Sequence, residues 1–248
     1  MTKLVDLTHP WGIDSVVFMG YPMPVVKYIK RPPEHGIYAQ WIETSLHCGT
    51  HIDAPIHWYH AGKDMASIPL ERLYGPGVVV DLRGAVDDWS IIKPKDITER
   101  VEVKEGDVLI INTGYHEYYL KDEVRYMCRH PGPDEEFAKW ALKMNLRWIG
   151  VDCGSADHPM NTNAIPAYRL DYVKEFEKKM GKPLEEIFPR SKVHPMHALL
   201  FPHDLIHAEN VGGDIDKLSN VRCMIGAFPW RFVGGEASIC RIVAFLED

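Results

Sequence analysis

His47-Cys-Gly-Thr-His51-Ile-Asp53-Ala-Pro-Ile-His57 places three histidines and a carboxylate within eleven residues. Imidazole and carboxylate groups are the side chains that bind borderline divalent metals, and few other roles require so many of them at this spacing. The alternative is a polar loop whose histidines only satisfy local hydrogen bonds. We favour a metal site, because the loop interpretation suits a lone histidine better than four such groups together.

The run is not expected to form a helix. A helix would place His47 and His51 one turn apart, as in the HExxH metalloproteases, but Cys follows the first histidine, and Gly49 and Pro55 disfavour a continuous helix. We predict instead an irregular turn after a strand. Gly49 would allow close backbone approach there, and Pro55 would stiffen the exit. Such a turn can direct both histidines and Asp53 towards one point.

Composition predicts an ordinary globular protein. The 248 residues are 46% hydrophobic and 25% charged, which suits a single domain over residues 1–248 with a hydrophobic core. A net charge of -7 disfavours nucleic acid as a partner. The sequence has neither a signal-peptide pattern nor an apolar run long enough for a membrane span. Its five cysteines form no CxxC pair, so we expect reduced thiols and a cytoplasmic location.

Short apolar runs alternate irregularly with amphipathic ones. Predicted strands are 78–82, 108–112, 148–152, 221–227 and 237–245, with an earlier strand at 38–45. Predicted helices are 134–144 and 171–180, the second ending at Gly181, and residues 114–133 and 153–168 read as long loops. The mixture indicates an α/β fold with a mixed sheet, without the regular spacing of a doubly wound or TIM pattern.

A second histidine-rich window could supply further ligands. Eight of the thirteen histidines lie in residues 47–60 and 194–207. Asp53 has two carboxylate oxygens and could bridge two metals, in which case a second ion would need its own histidine and carboxylate. Spacing alone does not choose among the four candidates, which are His194, His197, His203 and His207.

The eleven-residue run resembles the signature of the cyclase family of metal hydrolases, which includes bacterial kynurenine formamidases and isatin hydrolases. Three other stretches are similar to elements of that family. They are Gly150-Val-Asp-Cys-Gly-Ser155-Ala-Asp157, His197-Ala-Leu-Leu followed twelve residues later by Glu209-Asn210, and Gly234-Gly-Glu-Ala-Ser-Ile-Cys-Arg-Ile-Val-Ala. The resemblance therefore covers nearly the whole chain.

The resemblance implies a ligand set. His47, His51 and Asp53 would hold one metal, and Asp53 would bridge to a second held by His197 and Glu209. His57 would be the acid/base residue. The metal would be zinc or manganese, and having both of the later ligands favours two ions per chain over one.

The resemblance also implies a fold and an assembly. The fold would be a single α/β domain with a mixed, barrel-like sheet and surrounding helices, the "swivelling" β/β/α fold of the cyclase family. Members usually form homodimers or homotetramers in which neighbours complete the pocket.

These parts predict a metal-dependent hydrolase of C–N bonds other than peptide bonds. A divalent ion can lower the pKa of a bound water from 15.7 to about 7, and the resulting hydroxide would attack a carbonyl. The expected substrate is a small cyclic or aryl amide, with His57 passing the proton to the leaving nitrogen. A lactone or carbamate hydrolase on the same scaffold is one alternative, and a non-catalytic, metal-dependent binding protein for a small ligand is another.

Several further residues are candidates for contact with a flat substrate. They are the aromatic residues Trp11, Phe18, Trp41 and Trp58, together with His203 and His207. Aromatic residues belong more often to a core than to a pocket, so these assignments are secondary. Cys48 is interpreted as a small buried thiol and not as a ligand.

Overall fold

The computed structural model describes residues 2–247 as strands wound into a barrel with helices packed outside it. The strands are β1 Lys3–Asp6, β2 Val25–Lys30, β3 Ala39–Glu43, β4 His51–Asp53, β5 Tyr74–Asp81, β6 Ile91–Ile92, β7 Val108–Asn112, β8 Gly132–Pro133, β9 Trp148–Val151, β10 Ile206–Glu209, β11 Val221–Pro229 and β12 Ala237–Leu246. The helices are α1 Leu70–Leu73, α2 Pro94–Thr98, α3 Glu123–Cys128, α4 Glu135–Lys143, α5 Ile165–Tyr168, α6 Leu170–Met180, α7 Leu184–Ile187 and α8 Pro195–Leu200.

Seven strands close the barrel in the order β12-β11-β5-β7-β9-β10-β4, with β4 returning to β12. The strands β5, β7, β9 and β10 are parallel neighbours, and the remaining contacts in the ring are antiparallel. The long strand β12 makes closure possible, because its first residues pair with β4 and its last residues pair with β1 along the same edge. The fold is therefore the mixed α/β barrel that the sequence predicts.

Alternate residues of the barrel strands enter two separate cores, as the two-residue period of a strand requires. Every barrel strand contributes to the inner core, which includes Ile52, Val79, Ile110, Trp148 and Ile206. The outer core lies between the parallel strands and the helices, and includes Val78, Leu109, Ile149, Phe137 and Phe176. Both faces of β5, β7 and β9 are buried, which is why these strands read as continuous apolar runs.

The long elements agree with the sequence prediction. Strand β7 has the predicted bounds, and β5, β9, β11 and β12 overlap the predicted strands. Helices α4 and α6 are also confirmed, and Gly181 ends α6 in the left-handed conformation at φ +69°.

The two predicted long loops contain structure that the sequence did not reveal. Helix α3 lies within 114–133 and begins at the cap residue Asp122, which accepts a hydrogen bond from the backbone of Arg125. Helix α5 lies within 153–168. Helices of four to six residues are shorter than the window in which a helical period is detectable. Among residues 2–247, none of the helices has the length and apolar character needed to cross a bilayer.

Candidate metal centre

The first donor group comes from the turn between β3 and β4 and from β4 itself. His47 Nδ1 lies 3.1 Å from His51 Nε2 and 3.2 Å from Asp53 Oδ1, and His51 Nε2 lies 3.5 Å from the same oxygen. Gly49 has φ +67°, and a Cβ at this position would lie 3.0 Å from Trp11 Cδ1. The backbone therefore turns closely enough to bring the three side chains together, as the sequence predicts.

The second donor group is produced by the pairing of β4 with β10. His207 lies opposite Asp53 and Glu209 lies opposite His51 in the antiparallel register. His207 Nε2 is 3.2 Å from Asp53 Oδ2 and 3.6 Å from Glu209 Oε1, and His197 Nε2 from α8 is 4.0 Å from Asp53 Oδ2. Asp53 therefore presents one oxygen to each donor group.

The charge state of these residues fits a divalent cation. Both oxygens of Asp53 are buried without a hydrogen-bond partner among the described residues. Burial raises the pKa of Asp53, but the neighbouring His47 and His51 hold the pKa well below its usual range. Burial and the charge of Asp53 raise the pKa of Glu209 well above its usual range. Two buried carboxylates oppose each other's ionisation, and a cation between them removes that conflict.

Hydrogen bonds on the outer side of the histidines fix the direction in which their rings point. His51 Nδ1 donates to the carbonyl of Gly49 at 2.8 Å, and His197 Nδ1 donates to Asp157 Oδ2 at 2.6 Å. In each case Nε2 remains as the acceptor nitrogen that faces the donor group. Metal-binding histidines commonly have such a partner on the second ring nitrogen.

Glu236, in the loop before β12, holds two histidines at once. His47 Nε2 and His57 Nδ1 donate to the same oxygen, at 2.7 and 2.8 Å. Burial raises the pKa of Glu236, but these two hydrogen bonds lower it to about 2, so the group is ionised. Burial lowers the pKa of His47, yet the charges of Asp53 and Glu236 raise it to about 11.

His57 lies at the end of a short 3₁₀ helix that begins at Pro55. Its ring centroid is 4.3 Å from that of His47, and its Nε2 has no hydrogen-bond partner among the described residues. The rigid segment predicted at Pro55 is thus a single 3₁₀ turn, and it places His57 beside the donor groups. With Nδ1 held by Glu236, Nε2 is the nitrogen available for proton transfer.

A cavity of about 280 Å³ opens onto both donor groups. Its lining includes Asp53, His47, His197 and Glu209 on the polar side and Phe18, Tyr21 and Trp58 on the aromatic side, with His57, Ser155 and His194 completing the wall. This volume is close to the lower end of the range of about 300–1,000 Å³ for small-molecule sites. The arrangement suits a small, flat ligand.

The structure brings all the proposed ligands and His57 to one place, but only some of the proposed substrate residues lie there. Phe18 and Trp58 line the cavity, whereas Trp11, Trp41 and His203 do not. His203 and Trp41 are exposed, and Trp11 lies in a separate depression near β12. His207 is fully buried next to Asp53.

Sequence reasoning did not single out Glu236, although it lies in a stretch that resembles the family. Its part in the site depends on barrel closure, which brings the loop before β12 beside β4. The alternation of His207 and Glu209 was a usable signal, because residues two apart in a strand face the same side.

Comparisons with known proteins show the family and the fold. The family model described as "Putative cyclase" matches residues 5–158. Kynurenine formamidase of Bacillus cytotoxicus is 28% identical over 170 residues, which cover 67% of this chain and 76% of that protein. Isatin hydrolase A from Labrenzia aggregata, solved with benzyl benzoate, has a TM-score of 0.78 at 22% identity, covering 100% of this chain and 94% of that chain. A "predicted metal-dependent hydrolase" from Bacillus stearothermophilus has a TM-score of 0.71 at 23% identity, covering 99% and 98%. Because the family model matches more than half of the chain, the protein belongs to the cyclase family.

Proposed function

We propose that this protein hydrolyses the C–N bond of a small cyclic or aryl amide at a two-ion centre of zinc or manganese, with His57 as the acid/base residue. The observation that carries the proposal is the buried carboxylate of Asp53, whose two unpaired oxygens lie between two groups of histidines at the base of the cavity. The chain is a hydrolase of non-peptide amide bonds, and its likeness to kynurenine formamidases supports that class.

The ligands divide between the two donor groups. His47, His51 and Asp53 would hold one ion, and Asp53, His197 and Glu209 would hold the other. When bound, a divalent ion supplies a lowered water pKa and positive charge for the oxyanion that develops on the substrate carbonyl.

The protein's own side chains supply the proton transfer. Nε2 of His57 would accept a proton from water and deliver it to the leaving nitrogen, a role worth about 10²–10⁴ in rate. Glu236 accepts the hydrogen bond of His57 Nδ1, which leaves Nε2 facing the substrate side, and it orients His47 through the same oxygen.

The aromatic wall would hold the substrate ring. Trp58 packs beside His194 and His197, with ring centroids 4.8 and 5.5 Å apart, and Tyr21 lies 5.6 Å from His47. A flat ring stacked on this wall would place its amide carbonyl over the donor groups. Aromatic side chains offer large contact areas with little polar cost, which favours aryl substrates over flexible aliphatic ones.

The test is a panel of amides with metal-loaded and metal-stripped protein. The panel would contain N-formylkynurenine, isatin and an aryl lactone. We expect metal-dependent turnover of at least one of the amides, and a loss of about 10²–10⁴ in kcat for His57→Ala with unchanged metal content. The exposed His60 provides a matched control, since His60→Ala should leave kcat unchanged.

Three outcomes would contradict the proposal. The absence of turnover of any panel member by metal-loaded protein would favour a binding protein. Full activity of His57→Ala would remove this residue from the mechanism. Turnover of the lactone alone would redirect the assignment to ester hydrolysis on the same centre.

We also propose that the chain assembles as a homodimer or homotetramer. The supporting feature is the arm, a two-stranded sheet of β2 and β3. The arm exposes Tyr28, Ile29, Trp41 and Ile42, and the segment between its strands exposes Tyr38, each by 44–69%. A lone two-stranded sheet is only marginally stable in water, so a partner surface should cover it. Light scattering should report a multiple of the 28.4 kDa chain mass, and a monomeric mass for the wild-type protein would contradict this.

A further inference from the structure

His207 occupies a position in the sheet that aims it at the metal centre. It alternates with Glu209 on β10, while Ile206 and Ala208 point the other way into the inner core. The antiparallel register sets His207 directly opposite Asp53. Directly opposed residues in such a pair have close side chains, so the two are held together by the backbone.

The ring of His207 is buried and both of its nitrogens lack partners. Its exposed fraction is 0%, and neither Nδ1 nor Nε2 has a hydrogen-bond partner among the described residues. Nε2 comes within 3.2 Å of Asp53 Oδ2, but not with the alignment of a hydrogen bond. A buried polar group without a partner is destabilising, so native structures normally provide a partner for it.

Packing holds the ring in this orientation. Phe201 stacks on it with centroids 4.7 Å apart and planes within 24°, and His197 meets it edge-on at 4.5 Å. The orientation of Nε2 towards Asp53 is therefore fixed by neighbours on both sides.

We propose that His207 Nε2 is a ligand of the second ion, which then has four protein donors. The other three are Asp53 Oδ2, His197 Nε2 and Glu209 Oε1. This inference rests on the two-ion centre of the proposed function. Donor atoms that share one tetrahedral zinc at about 2.0–2.2 Å lie about 3.3–3.6 Å apart, which matches the 3.2 and 3.6 Å separations of His207 from the two carboxylates.

A fourth donor gives the two ions different characters. Zinc sites with four protein ligands are of the closed, structural type, and sites with three keep a position for water or substrate. The group of His47, His51 and Asp53 has three donors and also lies next to His57. The second ion would therefore occupy the closed site. Its main effect would be on Asp53, the ligand that both ions share.

His207 should contribute less affinity than His197. Asp157 accepts a hydrogen bond from Nδ1 of His197, whereas Nδ1 of His207 has no acceptor among the described residues. Such an outer partner typically contributes a factor of about 10–100 to metal affinity. Loss of His197 should accordingly weaken the second ion more than loss of His207.

The test measures metal binding directly and does not depend on turnover. Metal-stripped protein would be titrated with zinc by calorimetry, and bound metal counted by elemental analysis after gel filtration. We expect two ions for the wild type and a dissociation constant for the second ion at least ten-fold weaker in His207→Ala, with the first unchanged. In cobalt-loaded protein, His207→Ala should also alter the visible absorption of the second ion. The control is His203→Ala, an exposed histidine four residues away, which should match the wild type.

A second variant separates ligation from hydrogen bonding. The amide of His207→Gln could donate a hydrogen bond to Asp53 but is a poor zinc ligand, so this variant should also lose the second ion. Retention of wild-type affinity in His207→Gln would overturn the proposal, whatever the folding of His207→Ala. A wild-type protein that binds one ion would overturn it as well. Absence of turnover with two ions bound would instead count against the hydrolytic function alone.

Discussion

Asp53 and Asp152 are both fully buried carboxylates at the ends of barrel strands, and each lies beside a histidine. Asp152, directly after β9, accepts hydrogen bonds from the backbone and hydroxyl of Thr113, from the backbone of Gly114 and from Nδ1 of His116, at 2.6–2.9 Å. Asp53 accepts none from the described residues. The protein's own groups therefore satisfy Asp152, whereas Asp53 lacks such donors among the described residues.

This difference separates a structural cluster from a functional one more clearly than residue type does. Both clusters combine histidine with aspartate near the end of a strand, and a sequence pattern would score them alike. Only the completeness of hydrogen bonding distinguishes them, because buried polar groups in native proteins normally have partners.

The largest expected effect is on the turnover of Asp53→Asn. The amide that replaces the carboxylate has one oxygen and no charge, so it cannot serve both donor groups. In the proposed mechanism, bound ions would contribute several kcal/mol of transition-state stabilisation, which corresponds to at least about 10³ in kcat/KM. The measurement is kcat/KM on whichever amide the wild type hydrolyses, together with metal content. Asp152→Asn is the matched control, and this variant should bind as much metal as the wild type. If Asp53→Asn kept full metal content and turnover, the two clusters would not differ in function.

Asp152→Asn should instead lower stability. An amide group at this position turns a hydrogen-bond donor towards the donors of Thr113, Gly114 or His116. Removing one partner of a buried, hydrogen-bonded ion pair costs about 3–5 kcal/mol, and the free energy of unfolding should fall by that amount. Urea denaturation of metal-stripped wild type and variant would measure it. A loss below about 0.5 kcal/mol would mean that the cluster does not hold β7 and β9 together.

The sequence revealed the parts of the site that are close together along the chain. The run from His47 to His57 needed only one turn to become a donor group, and the long strands were visible as continuous apolar runs. The proposed ligands on β10 were harder to place, because β4 and β10 have three and four residues and show no period. Spacing did not choose between His197 and His207, and the resemblance to the family favoured His197. The register of β10 against β4 places His207 opposite Asp53, and this register exists only in the closed barrel.

Glu236 offers a smaller effect that sharpens the comparison, because it accepts hydrogen bonds from His47 Nε2 and His57 Nδ1 beside the proposed metal centre. Glu236→Gln keeps the shape but loses the charge that holds His47 and His57 together. We expect kcat to fall about 10–100-fold, as for other partners of metal-binding histidines, with little change in KM. Asp204→Asn is a suitable control, since Asp204 pairs only with Lys63 at the surface. A rise in KM with unchanged kcat would place Glu236 in substrate binding instead.

The smallest expected effect is the pH dependence contributed by His116. Burial lowers its pKa, but the hydrogen bond to Asp152 and the charges of Asp152 and Asp216 outweigh this, so the pKa is raised above its ordinary 6.5. A group whose pKa is higher in the folded state stabilises the protein below its unfolded pKa. That contribution is lost as pH rises through the folded pKa.

The measurement compares the free energy of unfolding of wild type and His116→Gln. Both are measured in the presence of a chelator, so that metal binding contributes to neither value. The difference between the two should be largest below pH 6.5 and should shrink steadily as pH rises above that value. A difference that stays constant or grows with pH would show that His116 is neutral in the folded protein. Asp152 would then be a buried carboxylate whose histidine neighbour carries no charge, and the contrast between the two carboxylates would rest on hydrogen bonds alone.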